Sequence, residues 1–455
     1  MTSFLLNNFF LIVVMSIPLV YFYGGIRSLF ELTDYKRVNK STDYHSLLSS
    51  PFTPGISVIV PAHNEEKKII THIKALFSIH YSTCEIIVVN DGSNDSTLER
   101  IIQEFSMDKV DYALYDYIPT QAIKGIYRSS NPIYNRLTVV DKEAGGKADA
   151  LNSGINISQH PYFIGIDVNS VVNQDVLLKL IKPFLDYSHK KVIATGGVIR
   201  VSNSCKIVNG QVLQVNVPDN YWAGFQIIEF FRAFMRGRIA WSRVNGLLLT
   251  PVTLGMFNKE LVIECGGYDP HVMDENMELI VRLRRYLYNK GMKHRVKYIP
   301  DSLGWMEVPV TLKSIRRQRS RWTQGCIDTL RAHHPLFFNP KYGSLGMIRY
   351  PFWFFFEWMA PLVETIACFF IFYMIVAGIM DWSIFLVFFL SIYLFSVSFS
   401  FYAILFNEYS STDDKRFAHL HKLFLLSFIE PIIYHPLSVY WAIRGNLSYL
   451  FHLNG

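Results

Sequence analysis

Ile56-Ser57-Val58-Ile59-Val60, stopped by Pro61, and then Glu85-Ile86-Ile87-Val88-Val89-Asn90, running into Asp91-Gly92-Ser93, decide the fold of this chain. Each is a short, nearly unbroken run of apolar and β-branched residues, the pattern of a strand buried on both faces. A helical pattern follows each, over Glu65 to Phe77 and over Ser96 to Phe105. Alternating strand and helix predict an α/β fold with a mainly parallel sheet and helices on both faces. Ligands of such a sheet gather beyond the carboxyl ends of its strands. Asp91 stands at such an end, and so does Asp167 after Tyr162-Phe163-Ile164-Gly165-Ile166. There is no internal repeat and no low-complexity tract.

Half of the 455 residues are hydrophobic and 15% are aromatic, and the excess over an ordinary soluble chain is concentrated in blocks. Phe4 to Ile26 is almost uncharged and long enough to cross a hydrocarbon core, which takes about 20 helical residues. Tyr350 to Ile379 and Trp382 to Phe406 are two more blocks, and Leu423 to Ile443 is a weaker fourth, interrupted by Glu430, Pro431 and Pro436. The first block has no Lys or Arg ahead of it and outruns the apolar core of a signal peptide, which favours an uncleaved anchor over a cleaved leader. Arg27, Lys36, Arg37 and Lys40 follow it, and Lys415, Arg416 and Lys422 precede the fourth block, whereas Gly378 to Ser383 carries no Lys or Arg. The positive-inside bias therefore puts the long polar segment in the cytosol and the chain, multi-pass, in the cell membrane. Glu357, Glu364 and Glu430 lie inside apolar blocks, where a carboxylate is costly, so each is expected to face a polar cavity or a helix interior. Five cysteines without C-x-x-C spacing argue against a zinc site or a disulfide framework. The net charge of +7 is modest, and its cations gather around Arg316 to Arg321, which points to lipid headgroups of a bilayer or to a diphosphate and away from nucleic acid.

Taken singly, the remaining signals have ordinary explanations. Asp91-Gly92-Ser93 is a common turn, Lys147 a solvated lysine, and Arg with Trp suits any interfacial helix. Taken in order they are distinctive. Val60-Pro61-Ala62-His63-Asn64-Glu65-Glu66, Val89 to Ser93, Gly145-Gly146-Lys147-Ala148-Asp149-Ala150-Leu151-Asn152, Asp167-Val168-Asn169-Ser170, Gly266-Gly267-Tyr268-Asp269, Asp274-Glu275-Asn276 and Gln318-Arg319-Ser320-Arg321-Trp322 closely resemble the family 2 glycosyltransferases. The pattern is most similar to the membrane-integrated processive branch that makes cellulose, chitin, hyaluronan and poly-N-acetylglucosamine. The resemblance implies a nucleotide-sugar-binding glycosyltransferase A-type fold with transmembrane and interfacial α-helices. It divides the chain into an anchor at 1–27, a linker at 28–54, a cytosolic transferase domain at 55–311, interfacial helices at 312–349 and a transmembrane region at 350–455. It also implies inverting transfer from a UDP-sugar to a growing β-linked polysaccharide or a lipid-linked acceptor, with Mg or Mn as cofactor and synthase or export subunits as partners.

Carried over residue by residue, the resemblance gives Asp91 and Asp167 to the nucleoside and Lys147 to the diphosphate. Gln318, Arg321 and Trp322 go to the leaving diphosphate and the acceptor sugar, Asn169 to the metal, and Glu275 and Asn276 to the catalytic pair. The residue types suit the chemistry. A carboxylate accepts from an imide N–H or a ribose hydroxyl, an arginine forks onto phosphate oxygens, and an indole stacks on a pyranose. Three departures stand out. The family's Asp-x-Asp is here Asp167-Val168-Asn169, and a neutral amide weakens any metal site. Its general-base aspartate is here Asn276, and an amide takes no proton near neutral pH. Asp274 would lie on the opposite face if 274–276 were helical, an objection that weakens in a loop. The third is Pro251-Val252-Thr253-Leu254 where relatives carry a glycine turn. Two readings therefore stand: an active transferase, or a catalytically impaired nucleotide-binding or scaffold subunit, including one inactivated by design.

Overall fold

The computed structural model describes residues 22–113, 115–186, 189–243, 245–248, 254–410 and 417–451. Most of the first apolar block, Val252 with its neighbours, and 411–416 of the last inter-helix loop lie outside the described residues.

The two opening runs form β1 (Ile56–Ala62) and β2 (Cys84–Asp91), paired in parallel from Ile56 against Cys84 to Ala62 against Asn90. The strands that follow are β3 (Met107–Val110), β4 (Ile123–Ser129), β5 (Leu137–Lys142), β6 (Tyr162–Gly165), β7 (Ser170–Val172), β8 (Lys191–Val201), β9 (Lys206–Val208), β10 (Gln211–Asn216), β11 (Met256–Asn258), β12 (His294–Met306) and β13 (Phe417–Ala418). Ten of them make one sheet in the order β3-β4-β5-β2-β1-β6-β11-β8-β12-β7. Its centre, β5-β2-β1-β6, is parallel, as the strand and helix alternation predicts. Only β4, β11 and β7 run against the others. β9, β10 and β13 form a small second sheet.

The chain leaves β1 for β2 on one side and reaches β6 on the other, so a crevice opens at the carboxyl end of β1, where the strand order reverses. Asp91 ends β2 and Asp167 follows β6, which sets the two carboxylates on either side of that crevice. Val58, Ile59 and Val60 of β1 and Ile86 to Val89 of β2 are almost fully buried beneath it. Gly92 turns the chain away from β2 at φ +60°, and a Cβ there would lie 2.7 Å from the Ala144 backbone nitrogen, a spacing only glycine permits.

The Leu312–Ala332 helix starts at Thr311, whose side chain accepts from the Ser314 N–H. Two further helices, Trp382–Ser410 and His421–Leu450, are long and apolar enough to cross a membrane. Leu345–Trp358 and Ala360–Val376 pass the same test as a pair bent by 44°. The fourth apolar block, whose apolar run Glu430, Pro431 and Pro436 interrupt, lies in one continuous helix that carries both prolines inside it. Glu430 is 1% exposed and meets Arg232 through both of its oxygens, with contacts of 3.0 and 2.6 Å. That pairing supplies the polar partner the sequence demanded. Glu364 meets His435 at 2.9 Å.

Candidate functional site

The crevice widens into a cavity of ≈ 790 Å³ between the strand ends and the Leu312–Ala332 helix. Asp91, Lys147, Asp167, Asn169, Glu275, Gln318, Arg321 and Trp322 all line it. Of the nine residues that the resemblance places at the site, Asn276 is the one absent from its wall.

Asp91 is held by three donors. Its Oδ1 accepts from Lys142 Nζ at 2.8 Å and from the Gly145 N–H at 2.9 Å, and its Oδ2 accepts from the Gly146 N–H at 2.8 Å. A carboxylate has about four lone-pair sites, so one remains for a ligand. Lys142 was not anticipated. It is fully buried and also meets Asp149 Oδ1 at 2.5 Å, so one ammonium bridges two carboxylates beneath the loop. The signal available was a charged Asp141-Lys142 pair closing an apolar strand. Asp91 thus anchors the glycine loop that delivers Lys147, the first residue of the Lys147–Ile157 helix. Gly146 caps that helix at φ +87°. Lys147 Nζ lies 2.8 Å from Asp167 Oδ1 and 3.3 Å from Glu275 Oε1. Burial favours loss of its proton, but Asp167 and then Glu275 outweigh burial and hold its pKa above the ordinary lysine value.

Asn169 is engaged at both ends of its amide. Its Oδ1 accepts from Lys68 Nζ at 2.9 Å, and its Nδ2 donates to Glu65 Oε1 at 3.2 Å. Among the described residues no group of three or more His, Cys, Asp or Glu side chains could hold a metal ion. A hard dication seeks several charged oxygens. Here Asp167 is bound to one ammonium and the neutral amide to another, so the residues as they stand do not fit Mg or Mn.

At the pair that the resemblance takes as catalytic, the helical-face objection does not apply. Asp274 is the N-cap of the Glu275–Asn289 helix at φ −117°, ψ 83°, with Oδ1 accepting from the Met277 N–H at 3.1 Å. Cap geometry swings it out of the helical rotation, and both Asp274 and Glu275 line the cavity. Asn276 is 3% exposed: its Oδ1 accepts weakly from Tyr268 Oη at 3.5 Å, and its Nδ2 donates to Glu275 Oε1 at 3.3 Å. Burial, and then the charge of Glu275, leave the Asp274 carboxyl with a pKa above the usual range despite the cap bond.

Gln318, Arg321 and Trp322 fall at helical spacings of three and four, and so share one face of their helix toward the cavity. Gln318 Oε1 is buried with no hydrogen-bond partner, an acceptor waiting for a donor. The expectation that Arg319 faces lipid or steers phosphate is corrected. Its guanidinium lies 4.6 Å from the centre of the Trp322 ring, pairs with both oxygens of Glu229, and donates to Tyr434 Oη at 2.8 Å. An interior carboxylate offset the cost of turning the arginine inward.

Sequence and structure comparisons bear on this arrangement. The profile described as Glycosyl transferase family group 2 matches residues 162–403, and Glycosyl transferase family 2 matches 57–115. The chain is 26% identical over 345 residues to a poly-beta-1,6-N-acetyl-D-glucosamine synthase of Staphylococcus epidermidis, covering 75% of this chain and 70% of the relative. It is 28% identical over 274 residues to the probable glycosyltransferase YdaM of Bacillus subtilis, covering 60% of this chain and 55% of that one. Among solved structures, the mannosyltransferase PcManGT of Pyrobaculum calidifontis, in complex with GDP-Man and Mn2+, superposes with a TM-score of 0.50 at 16% identity. That match covers 97% of this chain and all of the other, and it speaks to the fold.

Proposed function

This chain belongs to glycosyltransferase family group 2, and from that membership we propose that it moves a sugar from a UDP-sugar onto a growing β-linked polysaccharide or a lipid-linked acceptor at the cytosolic face of a membrane. The observation that carries the reading is the single cavity in which Asp91, Lys147 and Asp167 at the strand ends share a wall with Gln318, Arg321 and Trp322. Asp91 and Asp167 receive the nucleoside, Lys147 and Arg321 the diphosphate, and Gln318 and Trp322 the acceptor sugar. In this reading the apolar helices cross the membrane, with further synthase or export subunits as neighbours. The synthase relative makes UDP-N-acetylglucosamine the first donor to test.

The chemistry follows from these positions. The acceptor hydroxyl oxygen forms a bond to the anomeric carbon as the bond from that carbon to the diphosphate oxygen breaks, and the leaving UDP takes the electron pair. Lys147 and Arg321 meet the charge that develops on the phosphate oxygens. The hydroxyl proton goes to Asp274, which lines the cavity and, with its raised pKa, is a stronger base than an ordinary aspartate. Glu275 is committed to Lys147.

A second reading has a specific observation behind it. Asn276 and Asn169 stand at positions the resemblance gives to carboxylates, which favours a nucleotide-binding scaffold subunit if Asp274 takes no proton. The full chain in lipid nanodiscs decides between them by UDP release from UDP-N-acetylglucosamine and UDP-glucose, followed by polymer detection. Release with product extension is expected. UDP binding without release from either donor would leave the scaffold reading, and no UDP binding would overturn both.

A further inference from the structure

The Asp167-Val168-Asn169 segment presents two oxygen-bearing side chains to the cavity, and each holds an ammonium. Asp167 Oδ1 is 2.8 Å from Lys147 Nζ, and Asn169 Oδ1 accepts from Lys68 Nζ at 2.9 Å. Lys68 is steadied from the far side by Glu307 Oε2 at 2.8 Å, and Asn169 and Glu307 both line the main cavity. Lys68 itself lines an adjoining pocket of ≈ 240 Å³ that shares Asn169 and Glu307 with it. Its ammonium therefore sits where the two spaces meet. Two of its three N–H donors are used in these contacts, which leaves one for a phosphate oxygen.

Charge argues in the same direction. An amide at 169 removes one negative charge from the pair, and Lys68 brings to the amide oxygen an ammonium that it shares with Glu307. Both changes oppose a dication and both favour an anion. A lysine is a competent substitute, because an ammonium is a compact point charge that binds phosphate without fixed coordination geometry. Resting on the transferase reading above, we propose that Lys68 and Lys147 neutralise the nucleotide diphosphate directly, so that this chain binds its nucleotide without a divalent ion.

The test uses the purified full chain in detergent and reads UDP binding by calorimetry and thermal shift, in EDTA and in millimolar Mn2+, with the free Mn2+ signal followed by electron paramagnetic resonance. The expected result is the same UDP affinity in both buffers and no uptake of Mn2+ by the UDP complex. Lys68→Met should weaken UDP about tenfold to a hundredfold, the worth of one hydrogen bond to a charged group, and Lys68→Arg should keep most of it. Lys68 is half-exposed, so folding is not at stake. Lys68→Met combined with Asn169→Asp should make UDP binding depend on Mn2+. UDP binding that appears only with Mn2+ in the natural chain, or Lys68→Met with unchanged affinity, would overturn the proposal while leaving the transferase reading in place. Absence of UDP binding in either buffer would overturn both.

Discussion

Asp274 and Asn276 are two residues apart and have opposite fates. The cap position turns Asp274 to the cavity, while the first helical turn buries Asn276 against Tyr268 and Glu275. Asp274→Asn is expected to lower sugar transfer by about 10²–10⁴-fold, the usual worth of a general base, with UDP affinity unchanged in a calorimetric titration. Transfer requires the ionised form, so the rate should fall as pH drops through the raised pKa of Asp274, above the usual carboxylate range. A rate that stays flat down to ordinary carboxylate pKa values would remove Asp274 from the reaction. Asn276→Asp tests the motif register. A carboxylate there would be buried beside Glu275, so thermal stability should drop and UDP release should not rise. A tenfold rise in release would place the base at 276 instead.

At the scale of elements, the Leu312–Ala332 helix is fixed by ion pairs rather than by its apolar stripe alone. Arg319 ties it to Glu229 on the Tyr221–Ala233 helix and to Tyr434 on the His421–Leu450 helix, and Arg232 ties the same two partner helices together through Glu430. These links set the angle at which Gln318, Arg321 and Trp322 meet the cavity. Arg232→Leu leaves Glu430 almost fully buried without its partner, which should cost about 3–5 kcal/mol and be visible as an early thermal transition. Arg232→Leu with Glu430→Leu should recover most of that loss, since an apolar pair in place of a buried ion pair is often neutral. A single variant as stable as the natural protein would show that the pair carries no packing role.

For the whole molecule, the cation asymmetry sets the orientation to be tested. With residues 28–345 and the loop before His421 in the cytosol, a cysteine at Met380 should be labelled by an impermeant maleimide only from the external side of sealed cells. Labelling from the cytosolic side alone would invert the topology. The parallel core and the strand-end positions of Asp91 and Asp167 were legible from the residue pattern, because buried strands demand unbroken apolar runs and strand ends are the places where polar residues can leave the sheet, whereas Lys147, Glu275, Gln318, Arg321 and Trp322 were singled out by the family resemblance. The same local rules misread Arg319 and missed Lys142, since a lone charge looks solvated until a carboxylate distant in the chain is folded against it. The face of Asp274, the burial of Asn276 and the lysine on Asn169 depend on cap geometry and on contacts across long sequence separations, which only the assembled tertiary structure could decide.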